Sequence, residues 1–288
     1  MRLRLRGTVL KKSRRRIAYA TSDTEWCGFV TTVENGFVTS DSTTRFSTRV
    51  ENYVRFRPGY PAAVAALLRR EYGLGELADV GSGTGLLARV FLDAGFGVTG
   101  IEPNREMRLA GDQLLADYPR FRSIDARAEA TTLADQSVGL IAAGQAFHWF
   151  DVATTRREWQ RILRPGGGVA LIWNRRFVET PLMREVEAVT DKFAALGDPD
   201  GAIREAGQGR VAEFFGSAAY RVDEFPNQQQ FDFEGLLGRI ASSSYLPMAG
   251  QAGYEEMAGE LGRIFEKWQA DGTITFEYRT KVFHGRLG

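Results

Sequence analysis

Apolar and polar positions follow two rhythms along this chain, and the change between them falls near Arg176. Before it, short apolar runs bounded by glycine alternate with stretches whose apolar side chains recur every three or four positions. Leu77–Val80, Val98–Glu102, Val138–Ala143 and Val169–Trp173 read as buried strands, and Arg122–Ala126 as a weaker one. The intervening helices carry their own punctuation. "AAVAALLRREYG" has a Val64/Leu67/Leu68 stripe, Pro61 in its first turn and Gly73 at its end. Leu86–Ala94 stops at Gly95–Gly97, and Asn104 caps a helix reaching about Tyr118. Asp151 caps "VATTRREWQRIL", which Pro165 and three glycines end. Such alternation predicts a parallel sheet covered by helices on both faces, with right-handed crossovers.

Beyond Arg176 the pattern predicts helices over 181–195, 208–215, 233–242 and 252–270. Strand candidates at about 220–231 and 273–283 are separated by this helical material. "TITFEYRTKVF" alternates strictly and suits a late antiparallel strand. With no internal repeat or low-complexity linker, residues 49–288 read as one domain with a helical insertion over one end, and residues 1–48 as a basic extension.

Composition changes this picture little. With 43% hydrophobic and 25% charged residues, 288 residues are enough for a full core. The net charge of +1 conceals an asymmetry: "MRLRLRGTVLKKSRRR" holds eight basic side chains and no acidic one, leaving 29 basic against 36 acidic in the remainder. Such an arm reads as a loosely ordered tail, with contact to nucleic acid or anionic lipid as the other use of its charge. Organised sequence starts only around "FSTRVENYVRFRPGYP", so a native start near Val38 is a further expectation. Cys27 is the single cysteine, which excludes an internal disulfide and fits a reducing, cytoplasmic setting. No metal-ligand motif occurs, and no apolar run approaches the roughly 18 residues of a membrane span.

Chemistry enters with "DVGSGTGLL", Asp79 to Leu87, a glycine turn between a strand and a helix. Its glycines, Gly81, Gly83 and Gly85, make G-x-G-x-G. The dinucleotide fingerprint is G-x-G-x-x-G, and Leu86 stands where its third glycine belongs, which disfavours a nicotinamide cofactor. "GIEPNREM", "SVGLIAAGQAFHWF" and "RILRPGGGVALIW" follow in order. Together these motifs resemble those of class I S-adenosylmethionine-dependent methyltransferases. Within that class they look like the small-molecule branch that includes trans-aconitate and ubiquinone-biosynthesis methyltransferases. The resemblance covers about 50–176 closely, and "SSSYLP" and "FEYRTKV" share it.

The resemblance implies a Rossmann-like, doubly wound α/β fold. Its sheet would be mostly parallel and seven-stranded, with a late antiparallel strand. Residues 49–176 would form the cofactor-binding half and 177–288 the half that caps the substrate. S-adenosylmethionine would lie over Asp79, Gly81, Gly83 and Gly85, with Glu102 accepting both ribose hydroxyls. Pro103 and Met107 would pack on the adenine, and Ala128 and Glu129 would meet its amino edge, a place Asp125 also suits if the third strand ends early. Gln145 completes the cofactor set. Relatives often carry an acidic residue where Gly139 stands, so a looser start to the fourth strand is expected.

Methyl transfer needs an aligned acceptor and, for a hydroxyl or carbon acid, a base. His148 is one of two histidines and suits a base, a substrate contact or part of the pocket wall. Tyr53, Arg57, Trp149 and Tyr245 are the candidate substrate contacts, with His284 structural. Arg57, Arg175 and Arg176 together suggest an anionic acceptor. Two other readings stay open: an NAD(P)-dependent oxidoreductase, and a nucleic-acid-binding protein using the basic arm. "GQAFHWF" lacks the signature of nucleic-acid base methylation, which disfavours nucleic acid as substrate.

Overall fold

The computed structural model describes residues 55–194, 210–243 and 245–287. The basic arm, the Val38 start, Tyr53, Ser244 and the ends of the 181–195 and 208–215 helices nearest the loop between them lie outside these residues. The strands are β1 (Glu76–Val80), β2 (Gly97–Ile101), β3 (Phe121–Ile124), β4 (Val138–Gly144), β5 (Leu163–Arg176), β6 (Tyr220–Phe231) and β7 (Ile274–Gly285). They form one sheet in the order β3-β2-β1-β4-β5-β7-β6. The first five strands run parallel, and β7 pairs antiparallel with both β5 and β6. The chain thus reverses direction across the sheet between β1 and β4, the switch point where open α/β sheets bind ligands.

Alternate residues of the central strands feed two cores. On one face Leu77, Val98, Leu140, Ala142 and Ile172 pack against α1 (Ala62–Tyr72) and α2 (Leu86–Asp93). On the other, Val80, Ile101, Ile141 and Leu171 meet Trp159 and Ile162 of α4 (Val152–Ile162), and Phe214 and Phe215 of a helical segment at 210–215. Burial on both faces is why these strands read as continuous apolar runs. A third core joins the far ends of β6 and β7 to α5 (Pro181–Phe193), α6 (Phe233–Ala241) and α7 (Tyr254–Trp268). This is the helical insertion.

Several boundaries differ from expectation, each for a local reason. Pro61 sits at the N-cap in extended backbone (φ −62°, ψ 138°), not in the first turn of α1. The helix after Asn104, α3 (Arg105–Leu114), ends short of Tyr118 because Pro119 disfavours helical backbone before it. β3 stops at Ile124, not Ala126, since the chain turns at an isolated bridge between Arg127 and Ala130. No helix occupies the crossover from β3 to β4. β5 begins at Leu163, well before Val169: its pairing with β4 jumps from Val138↔Leu163 to Leu140↔Gly168, and Arg164–Gly167 bulge outward. Gly139 stands at that shift, so β4 does start irregularly. Gly168 admits the Tyr72 ring, which a Cβ would overlap at 2.4 Å.

Candidate active site

The turn after β1 is built by close approach. The Gly81 and Ser82 amides both donate to the Ile101 carbonyl, at 2.8 and 3.2 Å, so the turn is pinned to the end of β2. Gly81 has φ +68°, and a Cβ there would stand 2.5 Å from the Cβ of Ala146. Gly85 has φ +82° and abuts Leu115, while Gly111 of α3 lies over the Gly83 carbonyl. Backbone crowding thus falls on Gly85 and Gly111, and Leu86 instead lines the cleft.

Two buried carboxylates face this turn. Glu102 follows β2 and is 8% exposed. Its Oε2 accepts from the Gly83 amide at 2.9 Å and its Oε1 from the Asn104 amide at 2.8 Å. Burial raises the Glu102 carboxyl above its ordinary range, opposed by those two amides. Asp79 is fully buried; neither oxygen has a well-formed hydrogen bond, although the Ala88 amide lies close enough to favour its charged form. Burial, with the Glu102 charge second, pushes the Asp79 carboxyl up to about 7.

A narrow cleft, partly open to solvent, runs between this turn and the end of β4. Asp79, Gly81, Gly83, Gln145 and Arg57 line it together with Tyr60. Gln145 holds a left-handed backbone (φ +58°), unusual for a side chain and characteristic of functional sites. Its side-chain amide donates to the Asn174 carbonyl at 2.9 Å. Asn174, which sequence reasoning passed over, ties the cleft's cover to the sheet. Its Nδ2 donates to the Gly59 carbonyl at 3.0 Å, and its Oδ1 accepts from Thr280 and Asn227. From the other side, Arg57 Nη2 donates to the Ser242 carbonyl at 2.9 Å, joining this cover to the end of α6. Only the tertiary contacts reveal these links, because the partners are far apart in sequence.

The remaining candidates are more dispersed. The Met107 Cε methyl lies 3.5 Å from where a Gly83 Cβ would stand, so its side chain sits beside the turn; Pro103 follows Glu102 directly. Ala128 is buried, with its carbonyl accepting from Trp159 Nε1. Glu129 Oε1 accepts from the Asp151 amide at 3.0 Å, while Asp125, just past β3, pairs with Arg108 at 2.8 Å. His148 and Trp149 lie in a single 3₁₀ turn, Phe147–Trp149, their rings 4.8 Å apart and tilted by 48°. Arg210 clamps this turn by donating to the His148 and Phe150 carbonyls. Neither His148 nor Trp149 is among the residues lining the cleft. Tyr245 accepts from Arg176 Nη2 at 2.8 Å. Arg176 is also ion-paired with Glu187 at 2.9 Å, which neutralises one of the charges taken to favour an anion. His284 is buried between Tyr72 and Asp223 at the other end of the sheet. Among the described residues no group of acidic, histidine and cysteine side chains could hold a metal ion, and no helix is long and apolar enough to cross a membrane.

Comparison with known proteins agrees with this geometry. Residues 78–171 match the methyltransferase domain family. An uncharacterized methyltransferase of Schizosaccharomyces pombe is 27% identical over 228 residues, 77% of this chain and 87% of that one. One from Mycobacterium tuberculosis is 34% identical over 160 residues, 55% of this chain and 63% of its own length. In fold, a structure from Anaeromyxobacter dehalogenans described as a type II methyltransferase superposes with TM-score 0.60 at 22% identity, covering 81% of this chain and 98% of that one. Residues 78–171 thus match a methyltransferase domain and the sheet has the fold of such enzymes, which favours S-adenosylmethionine over a nicotinamide cofactor.

Proposed function

We propose that this enzyme transfers the methyl group of S-adenosylmethionine to a small anionic acceptor held at the mouth of the cleft. The observation that carries the reading is the cleft's enclosure. The Arg57–Tyr60 segment covers it and is tied down through Asn174 and Ser242, which suits a small ligand better than a polymer.

The residues present fit the cofactor. Glu102 is held by two amides beneath the turn, with lone pairs left for two ribose hydroxyls. Asp79 presents a buried carboxyl without a well-formed hydrogen bond, matched to the ammonium of the methionine tail. Gly81 and Gly83 leave the turn bare so that a ligand can approach the backbone. Pro103 and Met107 would flank the adenine, with Ala128 and either Glu129 or Asp125 at its amino edge. Gln145 would close the far side. When bound, S-adenosylmethionine supplies an electrophilic methyl on its sulfonium. The protein's share is to align the acceptor and keep water out. Arg57 lines the cleft and brings positive charge to it. Trp149, Tyr245 and Tyr53 would be further acceptor contacts beyond the cleft's own lining, and His148, also outside that lining, would be the base where the acceptor must lose a proton.

Calorimetric titration with S-adenosylhomocysteine and, separately, NADH tests the cofactor. Micromolar binding of the first and none of the second is expected; tight NADH binding would overturn the reading. Transfer of labelled methyl to small carboxylates, but not to their neutral amides or to RNA, is the expected acceptor pattern.

A further inference from the structure

Arg239, on α6, is 8% exposed, and no carboxylate lies within ion-pairing distance of it among the described residues. A buried guanidinium without a counter-ion is costly, because its charge has left water without a partner. Of its five N–H groups, Nε donates to the Tyr278 hydroxyl at 2.8 Å and Nη1 stands 3.5 Å from Ser242 Oγ. The second contact is weak because 3.5 Å is long for an N–H···O bond; the Ser242 hydroxyl itself donates to the Arg239 carbonyl at 2.7 Å. The outer Nη1/Nη2 edge therefore keeps three N–H groups with no acceptor among the described residues. The flat face of the group is held by the Phe276 and Tyr278 rings, 5.7 and 5.6 Å from Cζ, so the side chain is fixed in direction.

Arg239 does not itself line the cleft, but two links connect it to the cleft's cover. Arg57, which lines the cleft, meets the carbonyl of the same Ser242 that Arg239 approaches through Oγ. Tyr278 passes its hydroxyl proton to Gln229 Oε1 at 2.9 Å, and Gln229 Nε2 faces the Phe56 and Arg57 carbonyls. Gly238 lets α6 press onto Phe56, where a Cβ would overlap the ring at 2.1 Å.

We infer that Arg239 is the acceptor-recognition residue of this enzyme, its outer edge receiving an oxyanion, carboxylate or phosphate, of the acceptor in a two-pronged contact. This rests on the methyltransferase reading and names the chemistry its acceptor carries. A planar fork with both prongs free matches an oxyanion and offers nothing to a neutral ester or a cation.

The test uses the full chain saturated with S-adenosylhomocysteine, titrated calorimetrically with malonate and with inorganic phosphate. The expected result is saturable millimolar binding of at least one, weakened tenfold or more in Arg239→Met and less in Arg239→Lys. S-adenosylhomocysteine affinity should stay within twofold in both variants. Stronger malonate binding assigns a carboxylate, and stronger phosphate binding a phosphate. Unchanged oxyanion binding in Arg239→Met, or none in the wild type while S-adenosylhomocysteine binds, would overturn the proposal and leave Arg239 a plug over two aromatic rings. Absence of S-adenosylhomocysteine binding would instead defeat the methyltransferase reading, and the same titrations without it still decide the oxyanion site. If circular dichroism shows Arg239→Met unfolded, Arg239→Lys, which keeps charge and stem but loses the fork, carries the decision.

Discussion

The Gly83 amide donates to Glu102 Oε2 at 2.9 Å, so the glycine turn and the carboxylate behind it are one unit. Removing the carboxylate should therefore hurt binding more than folding. Glu102→Ala is expected to weaken S-adenosylhomocysteine binding by about ten- to a hundredfold, the worth of one or two hydrogen bonds to a charged group. Calorimetry measures this, with circular dichroism showing the fold retained; wild-type affinity in a folded variant would remove Glu102 from the site.

Asp79 makes the ligand-free protein sensitive to pH. Its folded carboxyl sits at about 7 against about 3.8 for a free aspartate, so the folded state holds a proton that the unfolded chain releases. Its favourable contribution is complete below about pH 4 and is lost as pH rises to about 7, a difference of about 4 kcal/mol at most. Asp79→Asn should gain stability relative to wild type between pH 4 and 8. Urea melts at both ends of that range check this, and a pH-independent difference would count against it.

Gly81→Ala and Gly83→Ala separate crowding from backbone strain. Both positions have positive φ, +68° and +55°, but only at Gly81 does an added Cβ collide, 2.5 Å from Ala146. Gly83→Ala should cost about 1 kcal/mol from strain alone, and Gly81→Ala at least about 2 kcal/mol more. Thermal melts of the pair give the ratio.

Asn174 holds the cover of the cleft through Gly59, Thr280 and Asn227. Asn174→Ala should speed S-adenosylhomocysteine release by about three- to tenfold, the loss of about one hydrogen bond from the covered state. Stopped-flow dissociation is the measurement; an unchanged rate would mean the cover does not gate the ligand.

His284 is 1% exposed and bridges Tyr72, at 2.9 Å, to Asp223, at 2.8 Å. Burial pushes the Tyr72 phenol up to about 12, so it stays a neutral donor. His284→Phe should cost about 1–3 kcal/mol by stranding that hydroxyl, with cofactor affinity unchanged. Denaturant melts with a parallel titration test both halves.

Legibility of the sequence followed the range of the interactions. Strands β1, β2 and β4 and the caps Asn104 and Asp151 were readable because apolar runs and cap hydrogen bonds act within a few residues. The β5 start was misread because Pro165 and three glycines signal a break locally, whereas pairing with β4 lets the strand bulge around them. The glycine turn and Glu102 were legible as a motif, with spacing set by one strand and one turn. Asn174 and Arg239 were not, since an asparagine after a strand and an arginine on a helix look like any others.

The sequence by itself determined the alternation of strands and helices, the glycine turn and the acidic residue one strand later, because each depends on neighbours a few positions away. Only the tertiary structure decided that β7 inserts antiparallel between β5 and β6, that Asn174 ties down the cover, and that Arg239 is buried without a counter-ion. Those facts depend on residues from about forty to more than a hundred positions apart meeting in the fold, and a local pattern holds no record of which partners they will find.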